Sequence, residues 1–333
     1  MKKTILYILT FCLFPLFNFG QQNPAFSHIN QKKLFFNPAF AGTESLNNLI
    51  IGHRNHPVTS FGDFSNYYLA YNQTSKFLHG GFGFQIINDL QAQKAISKIT
   101  AGGIYAYHFQ IRNDLFAKAA IEPSFTQISV NKDKLTFPNM FDPYNWEMLD
   151  KTEYTAENLS KLNHHYIDFN AGFLLTYKNY YIRTYREINA GFSVKHINQP
   201  RYQLNYPEAK INRQYSFYFD MTIGLMKKKT VKDIPLLKPV FLFQSGEDYQ
   251  MLLYGFFIKY LDMNAGFLLR NNLMYHYIDP IIYAGFNFSS FGLNYSYDLP
   301  LGNKMEKNFI SGAHEVTLTI DFQYKGKNKL NKQ

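Results

Sequence analysis

The residues best suited to metal or acid–base chemistry are ten histidines spread along the chain. An imidazole can ligate zinc or exchange a proton near neutral pH, but only beside a partner at suitable spacing. His164 and His165 are adjacent, so on a strand their side chains face opposite ways. His53 and His56 flank Arg54 in an expected external turn, with no cysteine or carboxylate at ligand spacing. No H-E-x-x-H, G-x-S-x-G or phosphate-binding loop occurs, and no carboxylate pair stands out. The expectation is a chain without catalytic residues, metal or cofactor.

The segments that would have to position any site begin after a leader. Lys2 and Lys3 form a basic start, and Ile5 to Phe17 are apolar apart from Thr10 and Pro15, which reads as a signal peptide over 1–20. Cleavage is expected after Gly20. Cys12 is the only cysteine and lies in this leader behind the bulky Phe11, an arrangement unlike a lipoprotein site, so the mature chain should lack thiols and disulfides. The net charge of +10 falls by two when Lys2 and Lys3 leave, and neither a basic helix nor a nucleic-acid motif accompanies it. Nucleic acid is therefore not an expected partner.

Mean hydropathy is −0.28. Beyond the leader no run approaches the roughly 18 apolar residues of a spanning helix, so a membrane span would have to be a strand. The chain holds 33 Phe and 26 Tyr but one Trp, more aromatics than a soluble core usually takes up and enough for girdles at two membrane interfaces. From Phe291 to Asp298, Phe291, Leu293, Tyr295 and Tyr297 alternate with Gly292, Asn294, Ser296 and Asp298. Val316, Leu318, Ile320, Phe322 and Tyr324 alternate in the same way with Glu315, Thr317, Thr319, Asp321 and Gln323.

About fourteen such segments follow one another: 45–54, 64–74, 79–89, 96–109, 114–129, 165–177, 180–195, 213–226, 237–245, 249–259, 262–270, 276–288, 290–298 and 312–324. Many reach the length of a tilted transmembrane strand, and their number is even, which predicts an all-β, antiparallel transmembrane β-barrel of the outer-membrane type. With the chain starting in the periplasm, the long connections 130–164, 196–212 and 299–311 fall outside and most tight turns inside, so both termini are expected in the periplasm of an outer-membrane protein. The organisation expected is a segment over 21–44 lying in the periplasm or lumen, a barrel over 45–324 and a basic tail over 325–333. Asn264, Arg270, Asn287, Asn294, Asp298, Glu315 and Asp321 should line a hydrated interior. Barrel hydrolases that assemble Ser/His or Asp/His groups from distant strands remain an alternative, and so does a passive porin.

Four segments go beyond a generic barrel. Gln22-Asn23-Pro24-Ala25-Phe26-Ser27 precedes Phe36-Asn37-Pro38-Ala39-Phe40-Ala41-Gly42, and near the end stand Tyr295-Ser296-Tyr297-Asp298 and Ser311-Gly312-Ala313-His314-Glu315-Val316. Together they resemble the PorP/SprF family of the type IX secretion system. Arg54-Asn55 falls where that family has Arg-Asn-Gln-Trp, with His56 and Pro57 here in place of Gln and Trp. Gly81-Phe82-Gly83-Phe84 to Ile87-Asn88-Asp89 also resembles a family strand end. The resemblance implies a fourteen-stranded outer-membrane barrel of a Bacteroidota-type bacterium. Its implied partners are outer-membrane lipid, other components of the secretion and gliding machinery, and secreted surface proteins or adhesins with a C-terminal sorting domain.

Within these patches Asn37-Pro38, with Gly42, reads as a rigid turn, since proline fixes φ and pushes the preceding residue toward extended geometry. The segment is long enough to fold back and plug the lumen. His314 and Glu315 must face opposite sides of the wall, with Glu315 inward. Arg54, Tyr297, Asp298, His314 and Glu315 are candidate partner-binding residues. So are Phe137, Phe141 and Trp146, because an exposed apolar connection of that length needs something to pack against.

Overall fold

The computed structural model describes residues 24–43, 47–57, 63–75, 77–131, 134, 163–179, 186–201, 210–225, 234–247, 249–274, 277–288, 290–300 and 312–322. Fourteen strands form one closed antiparallel barrel in which each pairs with its neighbours in sequence and the first closes on the last. They are β1 Asn47–His56, β2 Phe64–Ser75, β3 Gly80–Gln91, β4 Ile96–Arg112, β5 Leu115–Val130, β6 Asn163–Asn179 and β7 Arg186–Lys195, followed by β8 Gln214–Gly224, β9 Leu236–Ser245, β10 Gln250–Tyr260, β11 Met263–Asn272, β12 Tyr277–Asn287, β13 Phe291–Asp298 and β14 Ala313–Phe322. The closing seam runs in unbroken register from Asn47 opposite Phe322 to Asn55 opposite His314. Closure leaves no strand edge unpaired, as a lipid environment requires.

The expected strand ends agree with these to within three residues, except that the described part of β7 begins at Arg186 rather than at 180. Arg54 lies inside β1 rather than in a turn, because pairing with β2 and β14 carries the strand on to His56. Along β13 and β14 the faces alternate as the period-2 pattern requires: Leu293, Tyr295, Val316 and Ile320 are exposed, whereas Asn294, Ser296, Asp298, Glu315 and Thr317 are buried. The outer face is apolar nearly all round, including Ile121, Phe125, Ile167, Phe169, Phe217, Phe267, Ile282 and Phe286. On a barrel this is the lipid-facing surface. Among the described residues no helix is long and apolar enough to cross a membrane.

The connections of 131–162, 196–213 and 299–312 leave from one end of the barrel, while the other end carries the two-residue turns Asn113-Asp114 and Leu261-Asp262. The interior departs from the hydrated, polar lining expected of it. Leu174, Leu242, Leu253, Leu268 and Ile281 point inward and are fully buried. They are buried because the chain before β1 occupies the lumen. Phe26, Ile29, Leu34, Phe35, Phe36 and Phe40 join these wall residues in one continuous apolar core. The segment contains one short helix, α1 Lys33–Phe36, followed by a 3-10 turn over Pro38–Phe40.

Candidate functional site: a plugged lumen

The plug is anchored at three levels. Nearest the long-connection end is a buried charge cluster. Ser27 donates its backbone N–H to Glu315 Oε2 at 2.7 Å and its hydroxyl to Asp298 Oδ1 at 2.7 Å. Arg54 from β1 reaches Asp298 Oδ2 at 2.7 Å and Glu315 Oε2 at 3.3 Å. Arg270 from β11 donates to Asp298 Oδ2 at 2.5 Å, to Ser27 Oγ at 2.8 Å and to the Ala25 carbonyl at 3.0 Å. Lys32 completes the cluster, with Nζ 2.7 Å from Glu315 Oε1 and 3.7 Å from the centre of the Phe26 ring. Three cations thus surround two carboxylates, and each carboxylate is bonded to both plug and wall.

His28 Nδ1 lies 2.6 Å from Thr317 Oγ1. Its Nδ1 also lies 3.8 Å from Glu315 Oε1. The Asn-Pro turn forms the middle level. The Asn37 side chain accepts from the Ala39 N–H at 2.9 Å and donates to the carbonyls of Phe173 at 3.0 Å and Phe192 at 3.3 Å. It fits because β6 and β7 carry glycine at that point: a Cβ on Gly172 would lie 2.1 Å from Asn37 Oδ1, and one on Gly191 2.7 Å from Nδ2. Ser193 donates to the Phe36 carbonyl at 2.7 Å.

At the tight-turn end, Gly42 adopts φ +71, a left-handed conformation that favours glycine. Its N–H donates to Asn72 Oδ1 at 2.7 Å and its carbonyl accepts from Thr74 Oγ1 at 3.0 Å. It backs directly onto Gly81, where a Cβ would meet the Gly42 Cα at 2.3 Å. The Gly-x-Gly start of β3 is thus a seat for the plug.

Hollows flank the plug. One of about 240 Å³ lies toward the tight turns, between Asn30, Lys33, Asn48, Asn72, Asn287 and Asp321. Another of about 50 Å³ lies toward the long connections, between Pro24, Asp89, Lys98, Glu122, Asp168 and His196. His196 Nδ1 is 2.7 Å from Asp168 Oδ2 without hydrogen-bond alignment. Among the described residues no group of three His, Cys, Asp or Glu side chains could hold a metal ion.

Of the residues singled out by sequence, the structure brings Arg54, Asp298 and Glu315 together inside the barrel, and Asn37, Pro38 and Gly42 along the plug. Tyr297 and His314 lie on the outer side of the wall, with ring centres 4.8 Å apart, and Tyr295 Oη is 2.8 Å from His314 Nδ1. Phe137, Phe141 and Trp146 fall outside the described residues. Ser27, His28 and Lys32 were not singled out. A lysine in a mostly apolar stretch, in a chain whose wall carries inward carboxylates, was the available signal, since a buried charge requires a partner.

Fold and interior together define an outer-membrane-type β-barrel closed by its own N-terminal segment. The family model described as type IX secretion system membrane protein PorP/SprF matches residues 18–320, and the chain belongs to that family. It is a membrane component of type IX secretion, located in the outer membrane. No curated protein matches the chain. Among solved structures, the CymD monoaromatic hydrocarbon channel is similar at 9% identity and a TM-score of 0.46, with 89% of this chain and 94% of that one covered. The Pseudomonas putida toluene transporter TodX is similar at 9% identity and a TM-score of 0.42, over 86% of this chain and 92% of that one. A BamA from Haemophilus ducreyi gives 10% identity and a TM-score of 0.41, over 83% and 70%. Similarities this low carry no argument about function.

Proposed function

We propose that the protein is a non-enzymatic outer-membrane receptor of type IX secretion. It receives, helps export or anchors secreted proteins with a C-terminal sorting domain, using the mouth formed by the long connections. The observation that carries this over a passive porin is the plug: a segment bonded to the wall at three levels suits holding a partner better than diffusion. The connection containing Phe137, Phe141 and Trp146 is the proposed recognition surface, and Tyr297 and His314 contribute beside the mouth. Arg54, Asp298 and Glu315 act on the partner through the plug they hold. The remaining partners are outer-membrane lipid around the apolar outer face and other components of the secretion machinery.

Deleting the gene in its own bacterium tests this. Surface display of one specific adhesin or a small set of sorting-domain proteins should vanish while other secreted cargo still reaches the medium. Unchanged display of every such protein would defeat the proposal.

A further inference from the structure

The plug has a direction. At its amino-terminal end, Ala25 and Ser27 are bonded by Arg54, Arg270, Asp298 and Glu315, each within two residues of a strand end that opens into a connection at the long-connection end. Pro24 borders the hollow formed with Asp89, Lys98, Asp168 and His196, at that same end. At its carboxyl-terminal end, Gly42 is bonded by Asn72 and Thr74 and backs onto Gly81, at the end where β2 turns into β3. The last described residue of β14, Phe322, pairs with Asn47 there as well. The two described chain ends, Pro24 and Phe322, therefore lie at opposite mouths.

We infer that the plug is threaded with its amino end outermost, so that the mature chain presents its amino terminus at the cell-surface mouth and its carboxyl terminus in the periplasm. This rests on the orientation used above, with the long connections outside. The first residues after the leader then belong to the surface that a secreted partner meets.

The absence of cysteine after Cys12 allows a direct test by single thiols and a membrane-impermeant maleimide on intact cells. Asn23→Cys reports on the amino end, Lys304→Cys on the connection before β14, and Asn113→Cys on a tight turn. Labelling of Asn23→Cys and Lys304→Cys on intact cells, with Asn113→Cys labelled only after lysis, is the expected result. An Asn23→Cys thiol that reacts only after lysis, while Lys304→Cys reacts on intact cells, overturns the inference. The converse pattern at Lys304 and Asn113 would instead overturn the orientation on which it rests. Should the Asn23→Cys thiol react in neither case, a flexible protease site inserted between Gln22 and Asn23 decides: cleavage on intact cells supports the inference, and cleavage only after permeabilisation overturns it.

Discussion

Lys32 and Glu315, 283 residues apart in sequence and both fully buried, form a 2.7 Å ion pair that ties the plug to the strand closing the barrel. Gly52 on the neighbouring strand leaves room for it, since a Cβ there would lie 2.8 Å from both Lys32 Cε and Nζ. The pair couples two features that are separate in sequence, the seating of the plug over 24–43 and the closure of the last strand.

Removing one partner of such a pair leaves an uncompensated buried charge, a loss of about 3–5 kcal/mol. Glu315→Ala strands Lys32 and part of Arg54, so it should release the plug while the barrel persists. Limited proteolysis in detergent should then cut within 24–43 in the variant and spare that segment in the wild type.

The glycine seats provide a matched comparison. Gly172→Ala places a methyl 2.1 Å from Asn37 Oδ1, whereas Gly103 has nothing within 4 Å of an added Cβ. Overpacking of this kind costs about 1–3 kcal/mol. Gly172→Ala should lower the temperature at which the plug becomes protease-sensitive, and Gly103→Ala should leave it unchanged. Equal effects would show that Asn37 is not held by β6 and β7.

Reading 1–20 as a signal peptide predicts the mature start. Amino-terminal sequencing of protein purified from outer membrane should begin at Gln21; a chain that begins at Met1 would show that 1–20 are retained.

How much of this was legible in sequence differs by element. β13 and β14 declared themselves, because one face meets lipid and the other polar groups, and alternation places Glu315 inward. In β9 and β10 the runs Val240 to Phe243 and Leu252 to Ile258 have apolar residues on both faces. Their outer residues belong to the apolar outer face and their inner ones pack against the plug, so the period is blurred there. The plug itself has no period to detect: its conformation is fixed by distant partners such as Gly81, Gly172 and Glu315, which come together only once the barrel exists. The wall glycines Gly52, Gly81, Gly172 and Gly191 are contact points for the plug, a role that depends on partners far away in sequence. Arg54, Asp298 and Glu315 could be marked as unusual charges, yet nothing in their spacing revealed that they converge on Ser27.

The central claim, a barrel closed by its own amino-terminal segment and built to hold a partner, is tested most directly by single-channel recording of the purified protein in a planar bilayer at pH 7. The account predicts little steady current from the wild-type protein and stepwise conductance from a variant lacking 24–42. Stable, ohmic, porin-like conductance from the intact wild-type protein would contradict it.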